Sequence, residues 1–189
     1  GLSVSTSMSN RLTRIYTRGG DDGSTGLADG TRLGKDSRRI EVLGCLDELN
    51  SLIGIVVAYA GAESPAELPR IQNRLFELGA EIAQPSERRT SPTDVAWLET
   101  ALDTRNSDLP PLKEFVLPGG NLAAAHCHLA RSVCRRTERR LVQLARDEET
   151  NPETTRYLNR LSDLLFVLAR VLARRDGGHE VFWQPQDKA

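Results

Sequence analysis

The chain has 189 residues, a hydrophobic fraction of 39 % and a formal net charge of −1, which suits one domain with a self-sufficient core and implies neither a polyanionic nor a membrane partner. Its three cysteines, Cys45, Cys127 and Cys134, form no CxxC pair, which argues against a disulfide framework or a zinc ribbon and for a reducing cytoplasm. The N-terminal "GLSVSTS" has neither the apolar run of a signal peptide nor the Arg-rich pattern of a transit peptide, so residues 1–7 are expected to be an expression remnant and Met8 the native start.

Residues 10–37 are polar and Gly-rich without an apolar period, and are expected as a loop. Helical spacing then sets in. Ile40, Leu43, Leu46, Leu49, Ile53 and Val56 or Val57 recur over residues 38–60, with Ser37 as a cap and Gly61 as a stop. Between Pro69 and Pro85, Ile71, Leu75, Leu78 and Ile82 form one stripe, and Asp94 to Arg105 gives a shorter helix containing Trp97. "FVLPGG" is an extended approach to the longest helix, whose expected core stripe is Leu122, Leu129, Val133, Leu141 and Leu144. The last helix starts near Pro152, buries Leu158, Leu161, Leu165, Leu168 and Leu172, and stops at "DGG". Five helices with no convincing strand run predict an all-α, up-down bundle behind a Gly-rich loop. With no repeat or linker, the expected division is a tail over 1–14, one helical domain over 15–176 and a second tail over 177–189.

The loop "YTRGGDDGSTGLADG" poses the functional question. It has no GxxxxGK[ST] or strand-linked GxGxxG, and after Asp22 it lacks the alternating acidic ligands of a calcium loop. Its glycines let successive amides turn toward one anion, Thr17, Ser24 and Thr25 add hydroxyls, and Arg18, Lys35 and Arg38 add charge. Phosphate is a sensible guest, and a plain flexible surface loop is the competing reading. On the long helix, Arg131, Arg135 and Glu138 stand at i, i+4 and i+7, with Arg136, Arg139 and Arg140 widening the positive surface. That face either grips phosphates or is a solvated surface of local charge pairs. Nucleic acid fits poorly, because the chain is not basic overall and no aromatics interleave with the arginines. On the last helix Asn159, Asp163 and Phe166 share a stripe apart from the leucines, as a site or a subunit contact. His126 and His128 flank Cys127, and because consecutive helical residues point about 100° apart the three do not converge on a metal, so both histidines are expected as packing or surface residues.

Taken in order, "YTRGGDDGSTGL", "GCLDELNS", "FVLPGG", "ARSVCRRTERR" and "YLNRLSD" resemble the ATP:cob(I)alamin adenosyltransferases of the propanediol-utilisation type, from about Ile15 to Arg174. The resemblance implies a homotrimer of five-helix bundles, ferritin-like in architecture, with ATP between adjacent subunits and the corrinoid beside it. It implies that Thr17, Arg18, Gly19, Gly20, Thr25, Gly26 and Lys35 fold over the triphosphate, and that Arg135, Glu138 and Asn159 complete the nucleotide site from the neighbouring chain. Asp47 and Arg131 are then a pair across the subunit boundary. Phe115 is the aromatic that displaces the lower axial ligand of cobalt, with Phe166 and Asp163 beside it at the corrinoid. Mg²⁺ is expected on the ATP phosphates rather than on side chains. Family members more often carry Lys, Thr and Gly where this chain has "RGG", and commonly Lys at Asp22.

The implied reaction moves the 5′-deoxyadenosyl group of ATP to the cobalt of cob(I)alamin, giving adenosylcobalamin and triphosphate. The expected partners are a reductase and a cobalamin-dependent acceptor enzyme. Two other classes stay open at this point: a nucleotide-sensing helical module without transfer activity, and a plain trimeric structural bundle.

Overall fold

The computed structural model describes residues 14–186; the expected start at Met8 and the remnant over 1–7 lie outside the described residues. The Gly-rich segment is a short hairpin rather than an unstructured loop. β1 (Ser24–Gly26) pairs antiparallel with β2 (Arg32–Gly34), Thr25 standing opposite Leu33. Strands of three residues are too short to print an alternation on the sequence, which is why no strand was expected there.

Five helices follow among the described residues: α1 (Arg38–Ala60), α2 (Glu67–Ala83), α3 (Pro92–Ser107), α4 (Leu122–Ala145) and α5 (Pro152–Ala173). Side-chain caps fix several starts: Ser37 accepts from the Ile40 amide, Asn121 from Ala124 and Asn151 from Glu153. Ser91 and Asp94 form a reciprocal capping box, so α3 begins at Pro92 and not at Asp94. α2 begins before Pro69, because a proline in the first turn removes an amide that had no partner anyway. α1 ends at Gly61, whose φ of 62° a side chain would resist.

Charge pairs fix the directions. Arg38 at the start of α1 meets Asp147 just past the end of α4, and Tyr59 at the end of α1 stacks on His126 near the start of α4. Arg105 at the end of α3 reaches Glu67 at the start of α2 at 2.9 Å. Successive helices therefore alternate in direction, with α1 and α5 flanking α4, α2 beside α1 and α3 beside α5.

The core departs from the predicted stripe on α4. Leu122 is 59 % exposed and Leu129 50 % exposed, whereas Ala123, Ala124, Cys127, Ala130, Cys134 and Thr137 are buried with Val133, Leu141 and Leu144. The helix turns small residues inward, and its neighbours come close enough for the Cys127 and Cys134 thiols to donate to the Leu165 and Leu158 carbonyls of α5, at 3.2 and 3.3 Å. The leucine stripe of α5 is buried as expected. Residues 180–183, expected as part of a tail, pack back onto the bundle: Glu180 is 5 % exposed, and Phe182 bridges Val116.

One buried carboxylate ties two connections and the start of α5 together. Glu81, 2 % exposed, accepts from the amides of Arg89 at 2.5 Å and Thr90 at 2.9 Å, from Asn151 Nδ2 at 3.1 Å and from the Thr154 hydroxyl. Burial pushes against its charge, but these donors outweigh burial and hold the carboxyl below its ordinary range. A depressed folded pKa gives stability that is complete above the unfolded value and disappears as pH falls through the folded one. Glu81→Ala should therefore cost about 3 kcal/mol at pH 7 by stranding buried donors. Thermal melts at pH 7 and pH 3 check this, with the gap between variant and parent expected to narrow at the lower pH.

Candidate functional site

The hairpin is pinned from within. Asp22 Oδ1 accepts from the Ser24 amide and hydroxyl at 2.9 and 2.7 Å, and these bonds hold its carboxyl below the ordinary value. Arg32 Nη2 donates to the Gly19 carbonyl and to Ser24 Oγ, both at 2.7 Å, and Thr17 Oγ1 accepts from Gly19 N at 3.4 Å. Arg18 sits at φ 61°, a left-handed conformation that non-glycine residues rarely adopt. A Cβ on Gly20 would come within 2.9 Å of Lys35 Nζ, so the bare backbone there is what lets the ammonium lie against the turn. Thr17, Arg18, Gly19, Gly20 and Lys35 thus share one turn, with Thr25 and Gly26 on β1. Arg32, which braces that turn, was not singled out from sequence; its place opposite Gly26 appears only once the hairpin register is known.

The arginine cluster on α4 divides in two. Arg136 pairs with Glu48, and Arg140 Nε lies 3.8 Å from Glu41 Oε1, so these two are absorbed by α1 and do not widen a free positive face. Arg131, Arg135 and Glu138 instead line the side toward α5. Arg131 Nε is buried and without a partner among the described residues, and both burial and the nearby Arg135 weigh against its charge. Burial raises the Glu138 carboxyl, Arg135 pulls it back, and Asp163 of α5 raises it further. Asp163 and Asn159 are exposed on the facing edge of α5, with Phe166 further along.

At the end of the bundle where α4 begins, Leu112, Glu114, Phe115, Val116, Arg131 and Phe166 line a recess of about 440 Å³. Phe115 is not a core anchor: the residue is 74 % exposed. His128, 2 % exposed, packs edge-on against Phe166 at 6.2 Å, and Trp183 lies 6.0 Å from Phe115. Of the two expectations for His128, packing or surface, packing holds; Trp183 was missed, its only signal being the apolar triplet "VFW" in an otherwise polar end.

Asp47 does not join this group within the chain. It is exposed on α1 and lines a separate recess of about 390 Å³ with Asn50, Gln72, Asn73 and Phe76. The hairpin leads into the start of α1, beside the end of α4, whereas Phe115 lies toward the start of α4, level with Arg131 and Phe166, so the two are apart within one chain. Among the described residues no hydrogen bond or ion pair joins residues 16–35 to Arg131, Arg135, Glu138 or Asn159. Nor do three or more His, Cys, Asp or Glu side chains converge to hold a metal.

The family model described as cobalamin adenosyltransferase matches residues 15–172. A cobalamin adenosyltransferase of Cupriavidus metallidurans is 50 % identical over 94 % of this chain and 97 % of its own length, and a corrinoid adenosyltransferase of Bacillus subtilis is 42 % identical over 90 % and 92 %. Among solved structures, a phenylalanine-to-histidine variant of the PduO-type ATP:corrinoid adenosyltransferase of Lactobacillus reuteri, complexed with cobalamin and ATP, superposes with a TM-score of 0.85 at 32 % identity, covering 90 % of this chain and 97 % of that one. An arginine-to-lysine variant of the same enzyme, complexed with ATP, gives 0.83 over 90 % and 100 %. With sequence and fold matched along nearly the whole length, this chain belongs to the cobalamin adenosyltransferase family.

Proposed function

We propose that the chain transfers the 5′-deoxyadenosyl group of ATP to the cobalt of cob(I)alamin and releases triphosphate, in sites shared between the chains of a homotrimer. One observation supports the shared site: Arg131 is a partly buried cation without a counter-ion among the described residues of its own chain, while Asp47 stands exposed on another face. Pairing them between chains relieves both, and sets the hairpin of one chain beside Arg135, Glu138 and Asn159 of the next. Exposed Ile55, Tyr59, Leu122 and Leu129 supply apolar surface of the kind a subunit contact covers.

In the reaction the Co(I) electron pair attacks C5′ of ATP, the C5′–O bond breaks, and its electrons leave with the triphosphate; cobalt ends formally as Co(III). No protein nucleophile takes part. The chain's task is to hold C5′ in line with cobalt and to stabilise charge on the departing phosphates. Thr17, Arg18, the Gly19 and Gly20 amides, Thr25, Gly26 and Lys35 are placed for the phosphates. With no carboxylate cluster among the described residues to carry it, Mg²⁺ would be held through the phosphate oxygens. Phe115, Phe166 and Asp163 face the corrinoid, and the Phe115 ring, having no donor atom, keeps water and the cofactor's own base off the cobalt. A five-coordinate Co(II) stripped of that ligand accepts an electron more easily, so a reductase feeds this site and an adenosylcobalamin-dependent enzyme consumes its product. No described helix is long and apolar enough to cross a membrane, and we place the reaction in the cytoplasm. A nucleotide-sensing module would bind ATP without turnover, and no feature of this site favours that reading.

Purified protein given ATP, Mg²⁺ and chemically reduced cobalamin should show the spectrum of the alkylated product, with triphosphate as the second product. Release of ADP or AMP instead would mean phosphoryl or nucleotidyl transfer. Asp47→Ala and Arg131→Ala should each be inactive, and mixed trimers of the two should recover part of the activity, because some interfaces then carry both native residues; a dead mixture after confirmed subunit exchange contradicts the shared site. Phe115→Ala should slow product formation about a hundredfold or more when Co(II) must be reduced on the protein, and far less when Co(I) is supplied. Its melting temperature should stay close to the parent's, since the ring is mostly exposed.

A further inference from the structure

Phe115 stands clear of the bundle, and what holds it in place is the chain's other end. Residues 115–117 and 181–183 run antiparallel: Leu117 N donates to the Val181 carbonyl and Trp183 N to the Phe115 carbonyl, both at 2.8 Å, on either side of the Val116–Phe182 pair. So short a two-stranded ribbon is not stable by itself. It is anchored by Arg170 of α5, one turn beyond Phe166. Arg170, 2 % exposed, donates from Nε to Glu180 Oε1 at 2.5 Å and from Nη2 to Glu180 Oε2 at 3.3 Å and the Pro110 carbonyl at 2.9 Å. One guanidinium thus grips the segments leading into both strands, at Glu180 beside Val181 and at Pro110 five residues before Phe115. Glu180, its side chain fully buried, is also met by Arg174 Nη1 at 3.3 Å.

A buried ion pair is a costly way to gain stability, because its attraction scarcely offsets the desolvation of both charges. Its use here is geometric. The planar guanidinium presents donors in fixed directions to two strands at once, which a lysine ammonium does not reproduce. The anchor is also continuous with the recess, since Phe166 and Arg170 stand at i and i+4 on one face of α5.

We propose that Arg170 and Glu180 are positioning residues: their buried ion pair docks residues 178–183 against residues 110–117 and so fixes Phe115 over the recess formed with Arg131 and Phe166. The proposal rests on the corrinoid reading of that recess. It makes the chain's C-terminal segment part of the apparatus for Co(II) reduction, although Arg170 and Glu180 touch neither substrate.

The test uses the full chain carrying Glu180→Ala, Glu180→Gln or Arg170→Lys. Hydrogen exchange, measured without substrate, should rise about tenfold or more in peptides covering 112–117 and 179–184 in Glu180→Ala and Arg170→Lys, with α4 and α5 unchanged. In a Trp97→Phe background, acrylamide quenching of Trp183 should rise in parallel. The adenosylation rate should fall about tenfold with Co(II) and a reductant, and less than about threefold with Co(I) supplied, the KM for ATP staying constant. Glu180→Gln keeps the shape and one acceptor, and should lie between parent and Glu180→Ala. Where Glu180→Ala loosens α4 and α5 as well, Glu180→Gln carries the comparison. A ribbon that stays protected, a released ribbon with unchanged rates, or equal losses in both regimes would each overturn the proposal. A parent protein that forms no adenosylcobalamin would instead count against the corrinoid reading, and the exchange data would still decide whether the pair docks the ribbon.

Discussion

The close approach of α4 and α5 is the constraint from which the rest of the molecule follows. Small residues, Ala123, Ala124, Cys127, Ala130 and Cys134, fill the inward side of α4, and two of their thiols reach carbonyls of α5. A leucine at any of these positions would push the helices apart, since packed interiors have no slack for added methylenes. With the seam closed, the residues just outside it come level: Arg131, Arg135 and Glu138 on one rim, Asn159, Asp163 and Phe166 on the other. The groove is the outer edge of a core contact, so its geometry is as rigid as the core.

That constraint also explains where sequence reasoning stopped short. The leucine stripe of α5 and, on α1, Leu46, Leu49, Ile53 and Val56 follow helical period and could be read directly, whereas the expected Ile40 and Leu43 are only half-buried and Val42 and Cys45 fill the core in their stead. On α4 the expected Val133, Leu141 and Leu144 are buried, but Leu122 and Leu129, the most apolar residues in the first turns, point outward, because alanine and cysteine give the closer approach there. Hydrophobicity ranks side chains by their transfer from water, and says nothing about how near a neighbouring backbone must come. The same blindness hid the short hairpin, the pairing of Arg136 and Arg140 with α1, and the return of the C-terminal segment, all set by contacts distant in sequence. Arg131, Arg135, Glu138, Asn159 and Phe115 were legible as candidates; which side of the bundle each serves was not.

Charge on the molecule follows one rule. Cations with a partner on the same chain are structural: Arg39 on the Ile82 carbonyl and Glu148, Arg136 on Glu48, Arg170 on Glu180. Arg131 breaks the rule, since a partly buried guanidinium with an orphaned Nε is costly unless something outside the chain completes it. The exposed Asp47, on another face, is the complementary departure. In the proposed trimer the same pairing would drive assembly and finish the site, so that a lone subunit has no partly competent state.

The buried reactive groups point to the same division of labour. Burial lifts the Cys127 thiol to about 12 and the Cys134 thiol higher still, which removes both as nucleophiles at neutral pH. Burial, reinforced by the neighbouring Arg131 and only partly opposed by Glu180, lowers His128 to about 4 and keeps it neutral beside Phe166. A protein that carried a covalent intermediate or shuttled a proton would expose such groups to its recess and tune them toward neutrality. Here they are driven away from it. The side chains left facing the groove and the recess are fixed cations, acceptors and apolar rings, a set that orients and shields without reacting. Such a set suits a transfer in which one substrate is already the nucleophile and the other already carries its leaving group.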